Sequence, residues 1–438
     1  MTYEETTQYL FKQTANYEQQ GQAGYKEGLE NSMALDKHYG QPHHLFKSIH
    51  VAGTNGKGSC SHMLAAILQR AGYRVGLYTS PHLVDFCERI RINGNPISQQ
   101  YVIDFVEEGK SFFESLGASF FEITTAMAFK YFADNDIDIA IVEVGLGGRL
   151  DSTNIITPLV SVITNISLDH TDMLGSTLEQ IALEKAGIIK RGVPVIVGET
   201  TPETKPVFET IAHEIEAPIV FAEEHAEVVS YEALLEGGYR YTTQHLGTID
   251  CELNGSYQPK NMNTILPVLN ELAKDGYLST SDQPRFLEII NQEMNEALTQ
   301  IKQLTGLSGR WQTIRKNPTV VCDTGHNIGG WEYLGKQLSS IVCNQMRIVF
   351  GILEDKDVFG VMSKLPKDAT YYFCRPSTDR ALSEQSVQII GEQLGLQGKA
   401  YSSVNEAYEA AINSAAEDDF IFVGGSNYVV ADFLKMGV

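Results

Sequence analysis

The stretch IHVAGTNGKGSCSHMLAAILQRAG, residues 49–72, joins an apolar run, a glycine-rich loop and an amphipathic segment. Its pattern predicts a strand over Ser48–Val51 and a helix over Ser61–Ala71. A glycine-rich loop between a strand and a helix is suited to bind phosphate, because backbone N–H groups and the helix N-terminus point at the anion. The predicted phosphate-binding residues are Thr54, Asn55, Gly56, Lys57, Gly58 and Ser59.

The loop departs from the usual G-x-x-x-x-G-K-[ST] pattern in two ways. Val51 stands at the position of the first glycine, and Gly58 separates Lys57 from Ser59. A lone short match of this kind would be interpreted as a flexible turn. The strand before it and the helix after it favour phosphate binding, with Lys57 on the outer phosphates and the Ser59 hydroxyl on Mg²⁺ or phosphate.

Apolar strands alternate with helices through the first half of the chain. Further strands are predicted over Arg74–Tyr78, Ile137–Val144, Leu159–Ile163 and Val193–Val197, and helices over Glu122–Ala133 and Thr177–Ala186. Strands that are continuously apolar and separated by helices are typical of a parallel sheet covered on both faces. The sequence therefore predicts an α/β domain with a parallel sheet.

The pattern changes in the second half of the chain. Shorter segments between residues 203 and 258 predict antiparallel strands, and helices are expected over Leu266–Ala273 and Phe286–Ile301. Thr305–Arg310 has the composition of a linker. A second alternation follows, with strands expected over Thr319–Cys322, Met346–Ile352, Ala369–Cys374 and Phe420–Val423. The predicted domains are residues 1–300 and 301–438.

Composition excludes several classes of protein. The 438 residues are 43% hydrophobic and 20% charged, as in a soluble globular protein. A net charge of −22 disfavours nucleic acid as a partner. The six cysteines have no metal-binding spacing, and neither a basic, apolar signal segment nor a membrane-spanning run is apparent. A cytoplasmic location is expected.

Three polar residues follow or end predicted elements, and only the first indicates a metal site by itself. Glu143 ends an apolar strand, where its carboxylate would hold Mg²⁺ beside a phosphate loop, and a solvated acid is the alternative. His170 alone would be interpreted as a structural or surface histidine. Lys185, near a helix end, would on position alone be an exposed cation that favours the helix dipole.

Several motifs in order along the chain resemble one family. They are HVAGTNGKGS, TSPHL (79–83), FFEITTAMAF (120–129), VEVGLGGRLDSTN (142–154), TNISLDHTDMLGSTLEQIALEKAGIIK (164–190), YQPKN (257–261), GR (309–310) and DTGHN (323–327). The set resembles the folylpolyglutamate synthase and dihydrofolate synthase family of the Mur ligase superfamily. It implies Mur ligase architecture: an N-terminal P-loop-type parallel-sheet ATPase domain with a small antiparallel portion, and a C-terminal Rossmann-like α/β domain that ligates glutamate.

The resemblance also implies roles for individual residues. The phosphate loop would bind ATP together with Asn261, Arg310 and Asp323. Two Mg²⁺ sites would be formed by Ser80, Glu143, His170 and Lys185, with Lys185 carbamylated, and Lys57, Lys185 and His326 would be the catalytic residues. The pteroyl substrate would contact Ser119, Phe120, Phe121, Glu122, Leu150, Asp151 and Ser152, although core packing is an equal alternative for the two phenylalanines.

Some motifs differ from the usual family pattern. DTGHN replaces the commoner DGAHN, and YQPKNMN replaces HQ-x-x-NA, but Asp323, His326, Gln258 and Asn261 are retained. GGSNY at 424–428 replaces GSLY, which leaves contacts near Ser426 open. The two arginines of the 375–382 loop would meet the amino acid substrate or be solvated loop charges.

The implied reaction is ATP-dependent ligation. The γ-phosphoryl group would move to a carboxylate of dihydropteroate or a reduced folate, and the amine of L-glutamate would attack the acyl phosphate. Dihydrofolate synthesis, extension of folate glutamate tails, or both remain open, with both expected. The alternatives are a peptidoglycan-type Mur ligase, disfavoured because only about 50 residues precede the loop, and a nucleotide-switched P-loop ATPase. A monomer that binds no membrane is expected.

Overall fold

The computed structural model describes residues 1–13, 28–274, 276 and 292–437. The chain divides into two compact units. The first comprises Met1–His82, Phe86–Leu253 and Gln258–Leu307, and the second comprises Leu83–Asp85, Asn254–Tyr257 and Ser308–Val438. The assignment of residues 1–300 and 301–438 to two functional domains stays a prediction.

An eight-stranded sheet is the frame of the first unit. Its strands are β1 (Lys47–Ala52), β2 (Val75–Tyr78), β3 (Ile90–Ile92), β4 (Asn95–Pro96), β5 (Ile139–Glu143), β6 (Val160–Ile163), β7 (Val195–Val197) and β8 (Ile219–Phe221). Their order is β4-β3-β2-β5-β1-β6-β7-β8, antiparallel only where β3 joins β2 and β4. Parallel strands end at the same edge, so the segments after β1, β2, β5 and β6 are neighbours.

Helices cover both faces of this sheet. They are α1 (Tyr3–Gln8), α2 (Glu30–His38), α3 (Lys57–Arg70), α4 (Gln99–Leu116), α5 (Phe120–Asp134), α6 (Thr171–Leu174), α7 (Leu178–Ala186), α8 (Lys205–Glu214), α9 (Gln258–Lys274), α10 (292–298) and α11 (Ile301–Thr305). Shorter turns are the π-helical Tyr9–Gln13 and the 3-10 segments Pro42–His44, Phe86–Arg89 and Ser152–Ile155. Val51 packs with Leu64 of α3 in one core, and Val142 packs with Met127 of α5 in another. Apolar side chains that point to opposite faces of the sheet thus pack in two cores, one on each face.

A small antiparallel sheet completes the first unit. Its strands are β9 (Val228–Ala233), β10 (Tyr239–Thr243) and β11 (Thr248–Cys251), in the order β11-β10-β9.

The second unit has a six-stranded sheet. Its strands are β12 (Gln312–Lys316), β13 (Thr319–Asp323), β14 (Met346–Phe350), β15 (Thr370–Cys374), β16 (Gln397–Tyr401) and β17 (Phe420–Gly424). The order is β12-β13-β17-β14-β15-β16, and β12 alone runs antiparallel to its neighbour. The helices are α12 (Ile328–Ser339), α13 (Val358–Met362), α14 (Glu384–Gln393), α15 (Val404–Asn413) and α16 (Asn427–Lys435).

The predicted fold class is confirmed, with local differences. Residues 203–258 contain the helix α8 and the parallel strand β8 in addition to the predicted antiparallel strands. Helix α9 begins already at Gln258 rather than Leu266, because Pro259 is tolerated in a first turn. The predicted helix Phe286–Ile301 lies partly outside the described residues. No helix in the described part of the chain is long and apolar enough to cross a bilayer.

Candidate active site

The phosphate loop requires glycine at two positions. It connects β1 to α3, with Gly53 at φ 139° and Gly56 at φ 87°, in the region that favours glycine. A Cβ on Gly53 would lie 1.8 Å from Thr164 Oγ1, and one on Gly56 would lie 2.3 Å from Asn261 Oδ1. The backbone therefore approaches its neighbours too closely for any side chain.

Hydrogen bonds from the segment after β6 hold the loop in place. The Thr54 N–H donates to the Asn165 carbonyl (2.9 Å), and the Asn55 N–H donates to Asn165 Oδ1 (3.0 Å). The Thr54 hydroxyl accepts from the Ser167 N–H (3.1 Å), and Thr164 Oγ1 donates to the Asn55 carbonyl (2.6 Å). These contacts fix the conformation of the loop before any ligand binds.

Two lysines converge on a single loop carbonyl. Lys57 Nζ and Lys185 Nζ each donate to the Gly53 carbonyl at 2.9 Å. Lys185 is only 5% exposed, so the expectation of an exposed cation from its position alone is wrong. The reason is that α7 packs closely against the turn after β5: a Cβ on Gly148 would lie 2.8 Å from the carbonyl oxygen of Glu184.

The environment of Lys185 disfavours its charged form. Burial, followed by repulsion from Lys57, lowers the pKa of Lys185 to about 7, against opposing contributions from Asp169 and Asp151. A substantial fraction of the amine is therefore neutral near neutral pH. A neutral amine is the form that reacts with electrophiles such as CO₂.

Glu143 and Ser80 meet at the ends of β5 and β2. Glu143 is 3% exposed, which rules out the alternative of a solvated acid, and its Oε2 accepts from the Ser80 N–H at 3.3 Å. A buried carboxylate beside a serine suits Mg²⁺, which prefers oxygen ligands. Among the described residues, no group of three or more His, Cys, Asp or Glu side chains has metal-binding geometry.

His170 lies after β6, at the start of α6. It adopts a left-handed conformation (φ 50°), and its backbone N–H donates to Asp169 Oδ1 at 2.9 Å. Its side chain is one-quarter exposed, with Nε2 3.8 Å from Asp169 Oδ2. The imidazole is thus accessible at the sheet edge that also carries the phosphate loop.

The side chains of Ser119 and Glu122 form the N-terminal cap of α5. The Ser119 N–H donates to Glu122 Oε2 (2.6 Å), and the Glu122 N–H donates to Ser119 Oγ (3.4 Å), which is a capping box. Asn31 Nδ2 also donates to Glu122 Oε2 (3.2 Å). Both residues, predicted to bind substrate, therefore have a structural task.

The two phenylalanines of this segment differ. Phe120 is 2% exposed and stacks on Phe11, with ring centroids 4.9 Å apart. Phe121 is partly exposed and lies against Gly145, where a Cβ would come within 2.3 Å of its ring. Core packing accounts for Phe120, whereas Phe121 keeps a surface for a flat ligand.

Asp151 organises the turn that follows Glu143. Its carboxylate accepts from the N–H groups of Leu146 (2.9 Å) and Thr153 (3.0 Å) and from the Thr153 hydroxyl. Burial raises the pKa of Asp151, while these hydrogen bonds act in the opposite direction. Of its predicted companions, Ser152 is buried and Leu150 is partly exposed.

Gln258 and Asn261 connect α9 to the phosphate loop. Asn261 Nδ2 donates to Gln258 Oε1 (2.8 Å), and Gln258 Nε2 donates to Ser59 Oγ (3.3 Å). Since Ser59 is buried in the first turn of α3, the amide orients its hydroxyl.

In the second unit, Asp323 is surrounded by donors. It ends β13, and its Oδ2 accepts from the Tyr257 hydroxyl (2.6 Å) and the Trp311 N–H (2.7 Å), while Oδ1 accepts from the Gly325 N–H (2.8 Å). Burial raises the pKa of Asp323, and the Tyr257 hydroxyl is the largest influence that lowers it.

The other predicted residues of this unit contact the turn that follows β13. The Arg310 guanidinium donates to the Thr324 hydroxyl, and His326 Nδ1 lies 3.0 Å from the Thr324 carbonyl. Arg310, Asp323 and His326 are therefore grouped at the end of β13.

Sequence comparisons decide the family. Residues 51–262 match the Mur ligase middle domain, and residues 309–427 match the Mur ligase glutamate ligase domain. A Bacillus subtilis (strain 168) dihydrofolate synthase/folylpolyglutamate synthase is 33% identical over 425 residues, which covers 94% of this chain and 95% of that protein. The Escherichia coli (strain K12) protein of the same name is 32% identical over 389 residues, covering 88% and 85%.

The chain belongs to the folylpolyglutamate synthase/dihydrofolate synthase family.

Solved structures agree with this placement. Escherichia coli FolC in complex with DHPP and ADP has a TM-score of 0.80 and 31% identity, covering 100% of this chain and 97% of that one. A Yersinia pestis bifunctional folylpolyglutamate synthase/dihydrofolate synthase has a TM-score of 0.78 and 29% identity, covering 100% and 98%. A bifunctional enzyme of that name with Mn, AMPPNP and L-glutamate bound has a TM-score of 0.75 and 30% identity, covering 94% of both chains. The predictions of Mur ligase architecture and of an ATP- and metal-dependent glutamate ligase are confirmed.

Sequence reasoning missed two residues that contact predicted site residues or their neighbours. The Tyr257 hydroxyl contacts Asp323, and the departure of YQPKN from the usual family pattern was its only signal. His50 lies in β1, the strand that leads into the phosphate loop, and it contacts Thr153 beside the predicted substrate residues. Neither contact follows from spacing, because the partners are 66 and 103 residues apart.

Proposed function

We propose that this enzyme adds L-glutamate both to dihydropteroate and to reduced folates, through an acyl phosphate formed with ATP. The observation that supports it best is the convergence of Lys57 and Lys185 on the Gly53 carbonyl of a preformed phosphate loop. Lys57 supplies a cation for the incoming triphosphate, and its repulsion favours the neutral amine of Lys185 that the carbamate requires. Lys57 and the remaining loop amides would hold the phosphates of ATP, since the N–H groups of Thr54 and Asn55 already donate to Asn165.

The loop residues Thr54, Asn55, Gly56, Gly58 and Ser59 complete the proposed phosphate site. Asn261 lies against Gly56 and is assigned to the adenine side. Arg310 and Asp323 are assigned to the phosphates and the ribose, and His326 to the reacting groups. Residues 1–300 would carry ATP binding, and residues 301–438 would carry glutamate ligation.

Ser80, Glu143, His170 and Lys185 are the proposed holders of two Mg²⁺ ions. The metal would offset the charge of the transferred phosphoryl group. Lys185 fits as a carbamate, because its buried, partly neutral amine can add CO₂ and release a proton to give an anionic ligand. The test is Lys185→Ala, assayed with and without short-chain carboxylic acids. Recovery of activity by an acid supports the carbamate, and failure of every acid refutes it.

The pteroyl ring would lie against Phe121, beside Leu150, Asp151 and Ser152. The partly exposed face of Phe121 supports stacking of a flat, partly apolar ring. Ser119 and Glu122 would act by capping α5, which fixes the position of Phe121. Phe120 would support the position of Phe121 by packing in the core.

One assay tests the reaction. Purified protein, ATP, Mg²⁺ and labelled L-glutamate are incubated in parallel with dihydropteroate, with tetrahydrofolate and without a pteridine. Labelled product in both pteridine reactions, and ADP release that requires glutamate, support the proposal. Product with one pteridine refutes only the dual activity, whereas ADP release indifferent to pteridine and glutamate refutes the ligase.

The proposed working unit is a cytoplasmic monomer. All six cysteines are free thiols, as a reducing compartment favours. Light scattering of the purified protein at several concentrations tests the monomer, and a mass that doubles with concentration contradicts it.

A further inference from the structure

A buried histidine lies on the strand that leads into the phosphate loop. His50 of β1 is 0% exposed, and its Nε2 lies 2.8 Å from the Thr153 hydroxyl. Its neighbours in the sheet are Val142 of β5 and Ser161 of β6. Burying an imidazole in the centre of a sheet costs more free energy than burying an aliphatic side chain. The presence of a histidine at this position therefore calls for an explanation.

Counting hydrogens sets the direction of this contact. Thr153 has one hydroxyl hydrogen, which it donates to Asp151 Oδ1. The hydroxyl oxygen must then accept from Nε2–H of His50, so Nδ1 carries no hydrogen. His50 Nδ1 is buried and has no hydrogen-bond partner among the described residues. Burial lowers the pKa of His50 to about 3, which agrees with a neutral ring.

The hydrogen bonds from His50 to Thr153 and from Thr153 to Asp151 end on the turn that follows Glu143. Asp151 also accepts from the N–H of Leu146 and closes residues 146–151 into a turn. Gly145, directly before this turn, packs against the ring of Phe121. The orientation of Asp151 is thereby linked to the face assigned to the pteroyl ring.

We propose that His50 is a positioning residue for the pteroyl substrate: through Thr153 it holds Asp151 and the 145–152 segment in the orientation that the substrate needs. This inference rests on the proposed substrate role of Leu150, Asp151 and Ser152.

The first unit supplies a matched control pair. His62 of α3 is also buried, and its Nδ1 lies 2.7 Å from the Thr305 hydroxyl. Thr305 donates onward to the Ile301 carbonyl at 2.6 Å, rather than to a carboxylate of the substrate segment. The two pairs have the same chemistry, but only the His50 pair leads to Asp151.

The experiment compares Thr153→Val, His50→Leu and His50→Gln with Thr305→Val. We expect Thr153→Val and His50→Leu each to raise KM for dihydropteroate about tenfold, with KM for ATP changed less than about twofold. The double variant should be no worse than either single one, because both remove the same hydrogen bond. His50→Gln should recover most of the affinity, since the glutamine Nε2 can replace the histidine donor.

Thermal unfolding separates positioning from stability. Thr305→Val should lower the melting temperature as much as Thr153→Val does and leave KM for dihydropteroate unchanged. An unchanged KM in Thr153→Val, an equal rise of KM for ATP, or the same rise in Thr305→Val overturns the proposal. If Thr153→Val does not fold, His50→Leu against His50→Gln gives the same comparison, and an equal KM for dihydropteroate in the two overturns the proposal.

Equilibrium binding of dihydropteroate without glutamate separates this inference from the proposed function. A wild-type enzyme that binds no dihydropteroate refutes the proposed substrate site itself. A wild-type enzyme that binds it, with Thr153→Val binding equally well, refutes only the role of His50.

Discussion

The ends of β1 and β13 present opposite electrostatic arrangements. At the end of β1, the ammonium groups of Lys57 and Lys185 converge on one carbonyl, that of Gly53. At the end of β13, three donors from Tyr257, Trp311 and Gly325 converge on the Asp323 carboxylate. At the first site both ammonium groups donate to neutral backbone carbonyls, and Lys57 also donates to the Thr54 carbonyl at 3.1 Å. The second site has a carboxylate whose hydrogen bonds are already made. The difference indicates that an anionic ligand would rearrange the lysine side chains of the first site. A ligand of the second site would instead find the Asp323 carboxylate already oriented by its donors.

The largest effect is expected from removing a cation of the first site. In Lys57→Ala, kcat for glutamate ligation at saturating ATP should fall about a thousandfold, because the charge that develops on the transferred phosphoryl group loses its partner. Steady-state assays with labelled glutamate measure it. Lys130→Ala removes a cation that pairs with Asp134 on the exposed face of α5 and should leave kcat unchanged. A loss of less than tenfold in Lys57→Ala would mean that the convergence of cations has no catalytic purpose.

The second site should respond through stability. In Asp323→Asn, the amide NH₂ would face a backbone N–H in either orientation, that of Trp311 or that of Gly325. The free energy of unfolding of the second unit should therefore fall by about 3 kcal/mol. Both tryptophans of the chain, Trp311 and Trp331, lie in this unit, so their fluorescence reports its unfolding. Unfolding in urea that matches wild type would contradict a carboxylate fixed by its donors.

Most of the fold was predictable because its signals are local. The apolar strands, the helix after the phosphate loop and the change of pattern between 203 and 258 are each contained in a few residues. Strand β8 and helix α8 were missed, since β8 has only three residues and α8 buries only Phe208 and Ala212. Tertiary contact, rather than local preference, stabilises such short elements.

The candidate site was predictable as a set of positions but not as an arrangement. The position at a strand end located Glu143, because ligands bind where the strands of a parallel sheet end. The family resemblance located Lys185 and Asp323. Burial of Lys185 depends on the close packing of Gly148 on α7, which is a long-range contact that spacing in the sequence does not encode. The capping box of Ser119 and Glu122 is a local pattern of two residues three apart, so its spacing could have predicted the structural task of Glu122.

A smaller effect should appear in the pH dependence of the first unit. The pKa of Lys185 is about 7 in the folded protein against an ordinary 10.5. Below about pH 7 the amine is charged in both folded and unfolded chains, and the cost of burying it is complete. As pH rises toward 10.5, the folded chain has lost a proton that the unfolded chain retains, so stability should rise.

The slope should be up to about 1.4 kcal/mol per pH unit and should disappear in Lys185→Met. Urea unfolding by circular dichroism, in buffer free of bicarbonate and divalent metal, measures the difference between the two proteins at each pH. Equal slopes in wild type and Lys185→Met would show that Lys185 keeps an ordinary pKa and is not crowded by Lys57.

The smallest effect tests whether Tyr257 holds the Asp323 carboxylate. Tyr257→Phe keeps the ring but removes the hydroxyl donor, and two backbone N–H donors remain on Asp323. We expect a loss of about 1–1.5 kcal/mol in the tryptophan-monitored unfolding and a rise of several-fold in KM for ATP, because the carboxylate is less well oriented. Tyr371→Phe is the matched control: its hydroxyl donates to the Pro366 carbonyl in the same unit, so stability should fall similarly while KM for ATP stays constant. If both variants changed KM for ATP equally, the effect would come from general loosening of the second unit. Tyr257 would then not be the donor that orients the Asp323 carboxylate for ATP.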